Sequence, residues 1–276
     1  MSSVSKVFLA LGVAVSICLS SSTNHLVCGF VEVSPSHRWR RNPDSRQSPG
    51  LYERSVDSNE EITNSASASL KKDLLQLAAS YDRGYGATKR ANEKVDSLIS
   101  KLESVNTETN ASKGIEGESG ESPLSGSWRM VWTTAADVLT LSANPLVTIG
   151  AIYQVFDLPK VTNVIDLLPP FQTLVGSSQL GSVLRAKVTT KAYRQKNQDK
   201  ETESNRIGLE FQKVALEPVE LLGNDMGFLP PLGFDLPRTP FEGYFDVTFV
   251  DEELLVIRQN APGGLFVLAK VDNCDP

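Results

Sequence analysis

The chain has 276 residues, of which 22% are charged and 40% hydrophobic, and its formal net charge is −6. The length allows one large domain or two small ones. The acidic balance argues against a nucleic-acid partner, because phosphate backbones are bound by clustered Lys and Arg.

Cysteine and histidine are too scarce for most catalytic and metal sites. The chain has three cysteines, Cys18, Cys28 and Cys274, and two histidines, His25 and His37. All of them except Cys274 lie in an N-terminal region that resembles a presequence. The rest of the chain then excludes a disulfide framework, Cys- or His-based metal sites, and Ser-His or Cys-His catalysis. We expect no metal, no cofactor and no enzymatic activity.

The N-terminus has the pattern of a signal peptide. An apolar run over residues 7–19 follows Lys6 and is too short for a comfortable membrane span. Val27 and Gly29 suit the positions before a signal-peptidase cut. We therefore expect a signal peptide over residues 1–29, with an N-terminal anchor as the alternative.

A cut after Gly29 would expose Phe30 at the head of a basic segment with several serines and few acids. This composition resembles a transit peptide, so we expect residues 30–65 to be transit-peptide-like and disordered. A signal peptide followed by a Phe-led transit peptide resembles the bipartite presequences of algae whose plastids have extra membranes. That resemblance implies delivery to a plastid.

Residues 66–104 are expected to form a helical hairpin, because apolar residues recur there at helical spacing. The apolar positions are Leu70, Leu74, Leu77 and Ala78 in the first helix and Ala91, Val95, Leu98, Ile99 and Leu102 in the second. The glycine-containing stretch 83–86 separates the two helices. The hairpin could plug one end of the β domain or serve as an interaction surface.

The next segment, residues 105–122, is polar and contains several Gly and Glu residues, with Ile115 as its largest apolar side chain. We expect a flexible linker, since so little apolar surface cannot offset the entropy of ordering the chain. The β domain is then expected to span residues 123–276.

Eight segments of the β domain alternate apolar and polar residues, as half-buried strands do. They cover residues 126–133, 149–157, 160–168, 183–191 and 207–211, followed by three strands within residues 243–270. Eight antiparallel strands close into a barrel that holds side chains or one small ligand. The expected fold is mainly β, an eight-stranded antiparallel barrel with an N-terminal helical hairpin.

The first strand begins Gly126-Ser127-Trp128, and Gly-x-Trp at this place resembles the opening motif of lipocalins. The resemblance implies a Trp that packs across the closed end of a lipocalin-like barrel, against an Arg from a late strand. Arg258 is the expected partner of Trp128. The side chains expected to face the cavity are Trp128, Met130, Trp132, Leu184, Val188, Leu209, Phe211, Phe245, Phe249 and Arg258.

One apolar segment, Ala215–Pro240, matches no strand because five prolines interrupt it. Prolines lack the ladder hydrogen bond, yet the segment is too apolar for an ordinary surface loop. It could fold over the barrel mouth as a lid or face a lipid surface. The candidates for membrane contact are Met226, Phe228, Leu229, Leu232, Phe234 and Leu236.

The closing strands carry a more specific pattern, made of Gly243, Asp246, Asp251, Leu254, Arg258, Asn260, Leu265, Phe266, Val267 and Leu268. These residues resemble the C-terminal signature of the plastid lipid-associated proteins, also called plastid fibrillins. Gln259 stands where that family usually has Gly, and the following turn is one residue longer. The run Ile152–Phe156, Asn163 and the order of apolar residues in the helical region resemble the same family.

The resemblance implies a non-enzymatic plastid lipid-binding protein that associates with thylakoids or plastoglobules. Its ligands would be apolar lipids such as fatty acids, carotenoids or prenylquinones, held mainly by burial of apolar surface. The alternative is an accessory protein whose hairpin docks on a plastid prenyl-lipid biosynthetic enzyme and whose barrel receives the product. A third hypothesis is catalysis by Asp246 or Glu210, against a structural Asp246 bonded to Arg258 or to turn amides.

Overall fold

The protein is described by a computed structural model. The described residues are 56–108, 110–117, 121–136, 138–139, 147–170, 181–195, 205–236, 243–259 and 263–274. The expected signal peptide and the expected transit-like segment up to residue 55 lie outside this part of the chain. None of the helices in the described ranges is long and apolar enough to cross a membrane.

Within the described residues, two helices precede the β domain, α1 over Val56–Ala78 and α2 over Lys89–Ser104. Helix α1 begins earlier than residue 66, so part of the segment expected to be disordered is helical. The apolar pattern could not show this, because it begins only at Leu70. Helix α2 starts at an N-cap, where the Thr88 hydroxyl accepts a hydrogen bond from the Ala91 amide at 3.2 Å.

In the part of the chain that the structure describes, ten strands form one sheet in which the strand pairs are antiparallel. Their bounds are β1 Gly126–Thr133, β2 Thr148–Asp157, β3 Lys160–Leu168, β4 Val183–Arg194, β5 Arg206–Leu221, β6 Asn224–Asp225, β7 Leu232–Asp235, β8 Gly243–Val250, β9 Leu254–Gln259 and β10 Gly264–Val271. Eight strands close a ring in the order β1-β2-β3-β4-β5-β8-β9-β10, because β4 pairs with β5 and β10 with β1. These are the eight strands that the alternation predicted.

The expectation that Ala215–Pro240 contains no strand is wrong. Strand β5 continues through Pro218 to Leu221, and β6 and β7 pair back onto it. The physical reason lies in the register: β8 covers only residues 206–209 of β5, so the next stretch has an open edge that β7 occupies. We call residues 217–236 the arm, since they extend β5 beyond the ring.

The described residues form three apolar clusters, two inside the ring and one outside it. The inner cluster at one end contains Trp128, Phe156, Ile207 and Phe245, and we call it the closed-end cluster. The other inner cluster, around Met130, Ile165, Val188 and Leu216, is called the mouth cluster. The outer cluster joins both helices to β1, β8, β9 and β10. The hairpin therefore lies on the outside of the sheet.

Part of the segment expected to be a linker is packed into the fold. Ala111 and Ile115 are buried and join Leu124 in the closed-end cluster beneath Trp128. The Ala111 amide donates to Asn205 Oδ1 at 2.9 Å, which ties the segment to the start of β5. The linker interpretation is thus wrong for this stretch. A few small apolar residues suffice here because they cover the end of an existing core.

Polar contacts hold the hairpin against the ring at separate points. The Arg83 guanidinium donates to the carbonyls of Gly150 and Ile149 at 2.7 and 3.0 Å, respectively. Lys71 of α1 pairs with Asp251 in the β8–β9 turn at 2.9 Å. Together with the outer cluster, these contacts make the hairpin part of the same folded unit as the sheet.

Candidate functional site

The end of the ring opposite the closed-end cluster contains an apolar cavity of about 570 Å³. Its wall is formed by the ends of β3, β4 and β5, the residue before β2, and the arm. The lining residues are Val147, Leu167, Leu168, Pro169, Pro170, Ser182, Val183, Leu184, Pro218, Glu220, Leu221, Met226 and Leu229. This volume is typical of small-molecule sites in proteins.

The alternation of side chains along β5 explains why Pro218 and Glu220 face the cavity. Successive side chains of a strand point to opposite faces, so Leu216, Pro218 and Glu220 of β5 share one face. Leu216 belongs to the mouth cluster inside the ring, and the other two line the cavity. Leu184 lies opposite Pro218 in the register of β4 and β5 and continues the same wall.

Two polar residues interrupt this apolar lining, Ser182 and Glu220. The Ser182 hydroxyl accepts a hydrogen bond from the Leu222 amide at 3.0 Å, which ties β4 to the arm. The Glu220 carboxylate lies directly over Gly181, where an added Cβ would sit 2.6 Å from Glu220 Oε1. Glycine at position 181 therefore leaves the space that the carboxylate occupies.

The exposed large apolar side chains are concentrated around the cavity mouth. Phe228 is 76% exposed and Leu222 is 54% exposed. The exposed large apolar residues described at this end of the ring are Leu184, Leu221, Leu222, Phe228, Leu229, Leu232 and Phe234. Elsewhere in the described part of the chain, Leu75 and Tyr85 are the large hydrophobic residues with comparable exposure. A concentration of this kind marks an interaction surface rather than scattered surface apolar residues.

The tip of the arm is strained. The β5–β6 turn places Leu222 at φ 51° and Gly223 at φ 79°, both in the left-handed region. Glycine and asparagine adopt this region readily, whereas a residue such as leucine loses about 1–2 kcal/mol there. Since Leu222 is exposed, no packing visible in the structure offsets that cost. An outlier of this kind suggests a functional role for the exposed side chain.

The sequence model of the PAP_fibrillin family matches residues 68–269, which is well over half of the chain. The chain belongs to the PAP_fibrillin family. No curated protein and no solved structure gives a significant match. The family match confirms the resemblance to the plastid lipid-associated proteins, and it covers the hairpin, the ring and the arm. It points to the plastid and to association with lipids.

In this PAP_fibrillin chain, most of the side chains expected to face a ligand fill the ring instead. Leu184 is the one of them that lines the cavity. Those that belong to the closed-end cluster or pack against it are Trp128, Leu209 and Phe245. Those that belong to the mouth cluster or pack against it are Met130, Val188 and Phe211. The inside of the ring is therefore largely a packed core at these positions, and the cavity of about 570 Å³ lies at one end of it.

Three of the expected cavity residues lie outside the ring. Trp132 and Phe249 belong to the outer cluster under the helices. Each follows a register shift, between Met130 and Trp132 in β1 and between Val247 and Phe249 in β8. A bulge adds one residue to a strand and reverses the alternation beyond it, so both aromatic side chains face outward.

Arg258, the third, is not the partner of Trp128. Its guanidinium makes two hydrogen bonds with the Glu103 carboxylate of α2, at 2.8 and 3.0 Å. Burial opposes ionisation of Glu103, but the hydrogen bonds from Arg258 and Thr248 outweigh it, so the pKa of Glu103 is lowered. Arg258 faces the hairpin because β9 directs Leu254 and Val256, on the same side of the strand, into the outer cluster.

Trp128 has another cationic partner. The Lys270 ammonium lies 4.4 Å from the centre of the Trp128 ring and donates to the Ser125 carbonyl. Burial lowers the pKa of Lys270. The indole N–H of Trp128 donates to the Leu124 carbonyl at 2.8 Å. A cation thus does lie over the first-strand Trp, and it is a lysine of β10 in place of the expected Arg258.

Asp246 has a structural partner, though not the expected one. Its carboxylate makes two hydrogen bonds with Arg206 at 2.7 and 2.9 Å. The Arg206 guanidinium also lies 4.2 Å from the centre of the Tyr244 ring. Asp246 is on the side of β8 opposite Phe245 and Val247, which face into the ring. This placement gives it no access to the cavity.

The residues expected to contact a membrane occupy cavity-lining, core-packed and exposed positions. Met226 and Leu229 line the cavity, and Leu236 packs against the mouth cluster. Phe228, Leu232 and Phe234 are exposed. Sequence reasoning missed Leu221 and Leu222, because the segment was not expected to form a hairpin. Apart from Leu184, it also missed the cavity residues at the ends of β3 and β4. The signal for those of β3 is the Leu-Leu-Pro-Pro run over 167–170.

Proposed function

We propose that this protein is a non-enzymatic lipid-binding protein of the plastid. It binds an apolar lipid, such as a fatty acid, carotenoid or prenylquinone, in the cavity at the mouth of the ring. The arm holds that mouth against the surface of a thylakoid or plastoglobule. A bipartite presequence, made of a signal peptide and a transit peptide led by Phe30, delivers the chain to the plastid.

The observation that carries the proposal is that exposed apolar side chains surround the mouth of an apolar cavity. Burying one large apolar side chain in lipid contributes roughly 1.5–3 kcal/mol, so several together can anchor a protein. The net charge of −6 gives little attraction to anionic lipid headgroups. Apolar insertion is therefore the better-supported mode of attachment, and it should be insensitive to salt.

The arm also supplies a route for the ligand. Leu221, Met226 and Leu229 line the cavity, while Leu222 and Phe228 point away from it into the exposed surface. With the exposed side inserted in lipid, an apolar molecule could move from the lipid into the cavity without crossing water. In this respect we propose a lipocalin-like container that holds its ligand in the cavity at one end of the ring.

The alternative proposal, docking of the hairpin on a prenyl-lipid biosynthetic enzyme, would need a different surface. The apolar faces of both helices are buried against the sheet in the outer cluster. A partner enzyme would therefore meet the polar outer face of the hairpin. Purification of the native protein separates the two proposals, because the first predicts extractable lipid and the second a stoichiometric protein partner.

The direct test of attachment is flotation with liposomes of neutral plastid-type galactolipids. The double variant Leu222→Asn/Phe228→Ser removes two exposed side chains, and we expect at least about a tenfold loss of binding, equivalent to 1.4 kcal/mol. The matched control is Leu75→Gln, which removes an exposed leucine from α1, away from the mouth. It should float like the unaltered protein.

Unfolding measurements on the single variant Leu222→Asn give a second readout, which should change in the direction opposite to flotation. Because asparagine tolerates the left-handed turn, the single variant Leu222→Asn should raise the free energy of unfolding by up to about 1 kcal/mol while weakening flotation. Normal flotation of the double variant would refute the arm as the anchor. A large drop in melting temperature would instead show that these side chains pack on the core.

A further inference from the structure

Among the described residues that line the cavity, one carries an ionisable side chain, and that group is the Glu220 carboxylate. The other lining residues are apolar except Ser182, whose hydroxyl is already bonded to the Leu222 amide. No lysine or arginine is among the lining residues, and no cation pairs with Glu220 within the described ranges. The polar character of the cavity is therefore that of an anionic hydrogen-bond acceptor.

The position of this carboxylate is built into the fold. Alternation along β5 places Glu220 on the same face as Pro218 and Leu216, toward the inside of the ring. The absence of a side chain at Gly181 leaves the space that Glu220 Oε1 occupies, 2.6 Å from where a Cβ would stand. By contrast, Glu217 of the same strand points to the outer face, where it pairs with Lys187.

We propose that the cavity selects neutral lipids that end in a hydroxyl group and rejects fatty-acid anions. The inference rests on the lipid-binding function proposed above and narrows its ligand class. A long-chain alcohol, or a prenylated ring that carries a free hydroxyl, places its chain against the apolar wall and donates its O–H to Glu220.

Charge decides between the candidate headgroups. An ionised carboxylate accepts hydrogen bonds and donates none, and bonds from a neutral hydroxyl to it are short and strong. The carboxylate of a fatty-acid anion beside Glu220 would be repelled, because two like charges at close range disfavour each other. The apolar wall itself does not discriminate, since a C12 chain buries the same surface whether its head is an alcohol or an acid.

The test compares dodecanol with dodecanoate by isothermal titration calorimetry on the full chain, at about pH 8, where a fatty acid is ionised in water. We expect dodecanol to bind at least about tenfold more tightly, a difference of 1.4 kcal/mol. Glu220→Gln should bring the two affinities within about threefold of each other, and Glu220→Lys should reverse the preference, since an ammonium attracts the anion.

Two further variants complete the design. Gly181→Ala places a methyl group where the carboxylate lies, so it should reduce the preference without changing the charge of the protein. Glu217→Gln removes an equal charge from the outer face of the same strand and should leave the preference unchanged. Because each conclusion uses the ratio of two affinities, a variant that lowers both by partial unfolding does not imitate the effect.

The outcomes separate this inference from the function on which it rests. Equal binding of both ligands to the unaltered protein, or a ratio that Glu220→Gln does not change, overturns the selectivity and leaves lipid binding in place. If neither ligand binds and native protein carries no lipid, the proposed lipid-binding function fails, and the selectivity fails with it.

Discussion

Trp128 should be the most costly single side chain to remove from the closed end of the ring. It is fully buried among residues from the ring strands and from the segment that contains Ala111 and Ile115. Its indole N–H donates to the Leu124 carbonyl at 2.8 Å, and Lys270 lies over its ring at 4.4 Å. Trp128→Ala removes all three kinds of interaction together.

The magnitude follows from these contacts. Truncating a buried Trp to Ala costs about 3–5 kcal/mol through lost burial and the cavity that remains. The lost hydrogen bond leaves the Leu124 carbonyl unpaired, which costs about 1–3 kcal/mol, and the cation over the ring adds roughly 0.5–1 kcal/mol. Since these terms overlap, we expect a loss of at least about 4 kcal/mol, a large part of a typical folding free energy of about 5–15 kcal/mol.

Urea unfolding of the full chain, followed by far-ultraviolet circular dichroism, measures this loss. With an m value of about 2 kcal/mol/M, a loss of 4 kcal/mol moves the midpoint by roughly 2 M. The spectrum of the folded protein should be mainly β. A folded protein with a mainly helical spectrum would refute the ring itself.

A matched pair of variants isolates the hydrogen bond. Trp128→Phe keeps most of the ring packing and leaves the Leu124 carbonyl unpaired, so it should cost about 1–3 kcal/mol. Trp132 is equally buried, but its Nε1 has no hydrogen-bond partner among the described residues. Trp132→Phe should therefore cost less than Trp128→Phe. Equal costs for the two variants would contradict the placement of these two side chains.

Two more predictions concern the hairpin and the presequence. Because the pKa of Glu103 is lowered in the folded state, its pairing with Arg258 stabilises the protein above the ordinary carboxyl pKa of about 4.3 and is lost as the pH falls through the folded pKa. Glu103→Gln should thus lower the free energy of unfolding by about 0.5–1 kcal/mol at neutral pH. The difference from the unaltered protein should shrink below about pH 4. If urea titrations show the same difference at every pH, the result argues against the pairing. For targeting, a reporter fused after residue 60 should reach the plastid, whereas Phe30→Ala should strand it in an earlier compartment. Normal plastid import of the variant would rule out the bipartite presequence.

The ring strands could be predicted from the sequence because the alternation of apolar and polar residues is a local pattern. For some strands, however, the side that faces the ring interior could not be predicted. In β9, the four residues Leu254–Ile257 are all buried, since one side of the strand faces the ring interior and the other faces the hairpin. Because neither side of this strand is polar, the alternation does not show which side faces the ring interior. The expectation that Arg258 faces the cavity is wrong for this reason. The bulges in β1 and β8 have the same effect on Trp132 and Phe249, since one added residue leaves no signature in the alternation.

The cavity was beyond sequence reasoning for a different reason. Its wall combines strand ends that are distant in the chain, such as Leu167, Leu184 and Glu220, and its volume depends on how far those strands extend past the packed core. Aromatic side chains expected to surround a ligand instead fill the ring. The sequence shows where apolar residues are abundant. The position of the cavity depends in addition on the register between β4 and β5, which sets Leu184 opposite Pro218.

The arm is where the local rules of sequence are broken most clearly, and this supports its functional role. A two-residue turn between antiparallel strands favours Asn or Gly at both central positions, yet the first of them here is Leu222. Phe228 lies nearby with most of its surface exposed, although a soluble protein gains nothing from such exposure. The strained backbone costs stability and the exposed side chains cost solubility in water, whereas burial of the Leu222 and Phe228 side chains becomes favourable if the arm lies in lipid. Because the inner side of the same arm lines the cavity with Met226 and Leu229, attachment and ligand entry would use one structural element. A change that relieves the strain at the tip should therefore make the protein more stable and less able to reach its lipid.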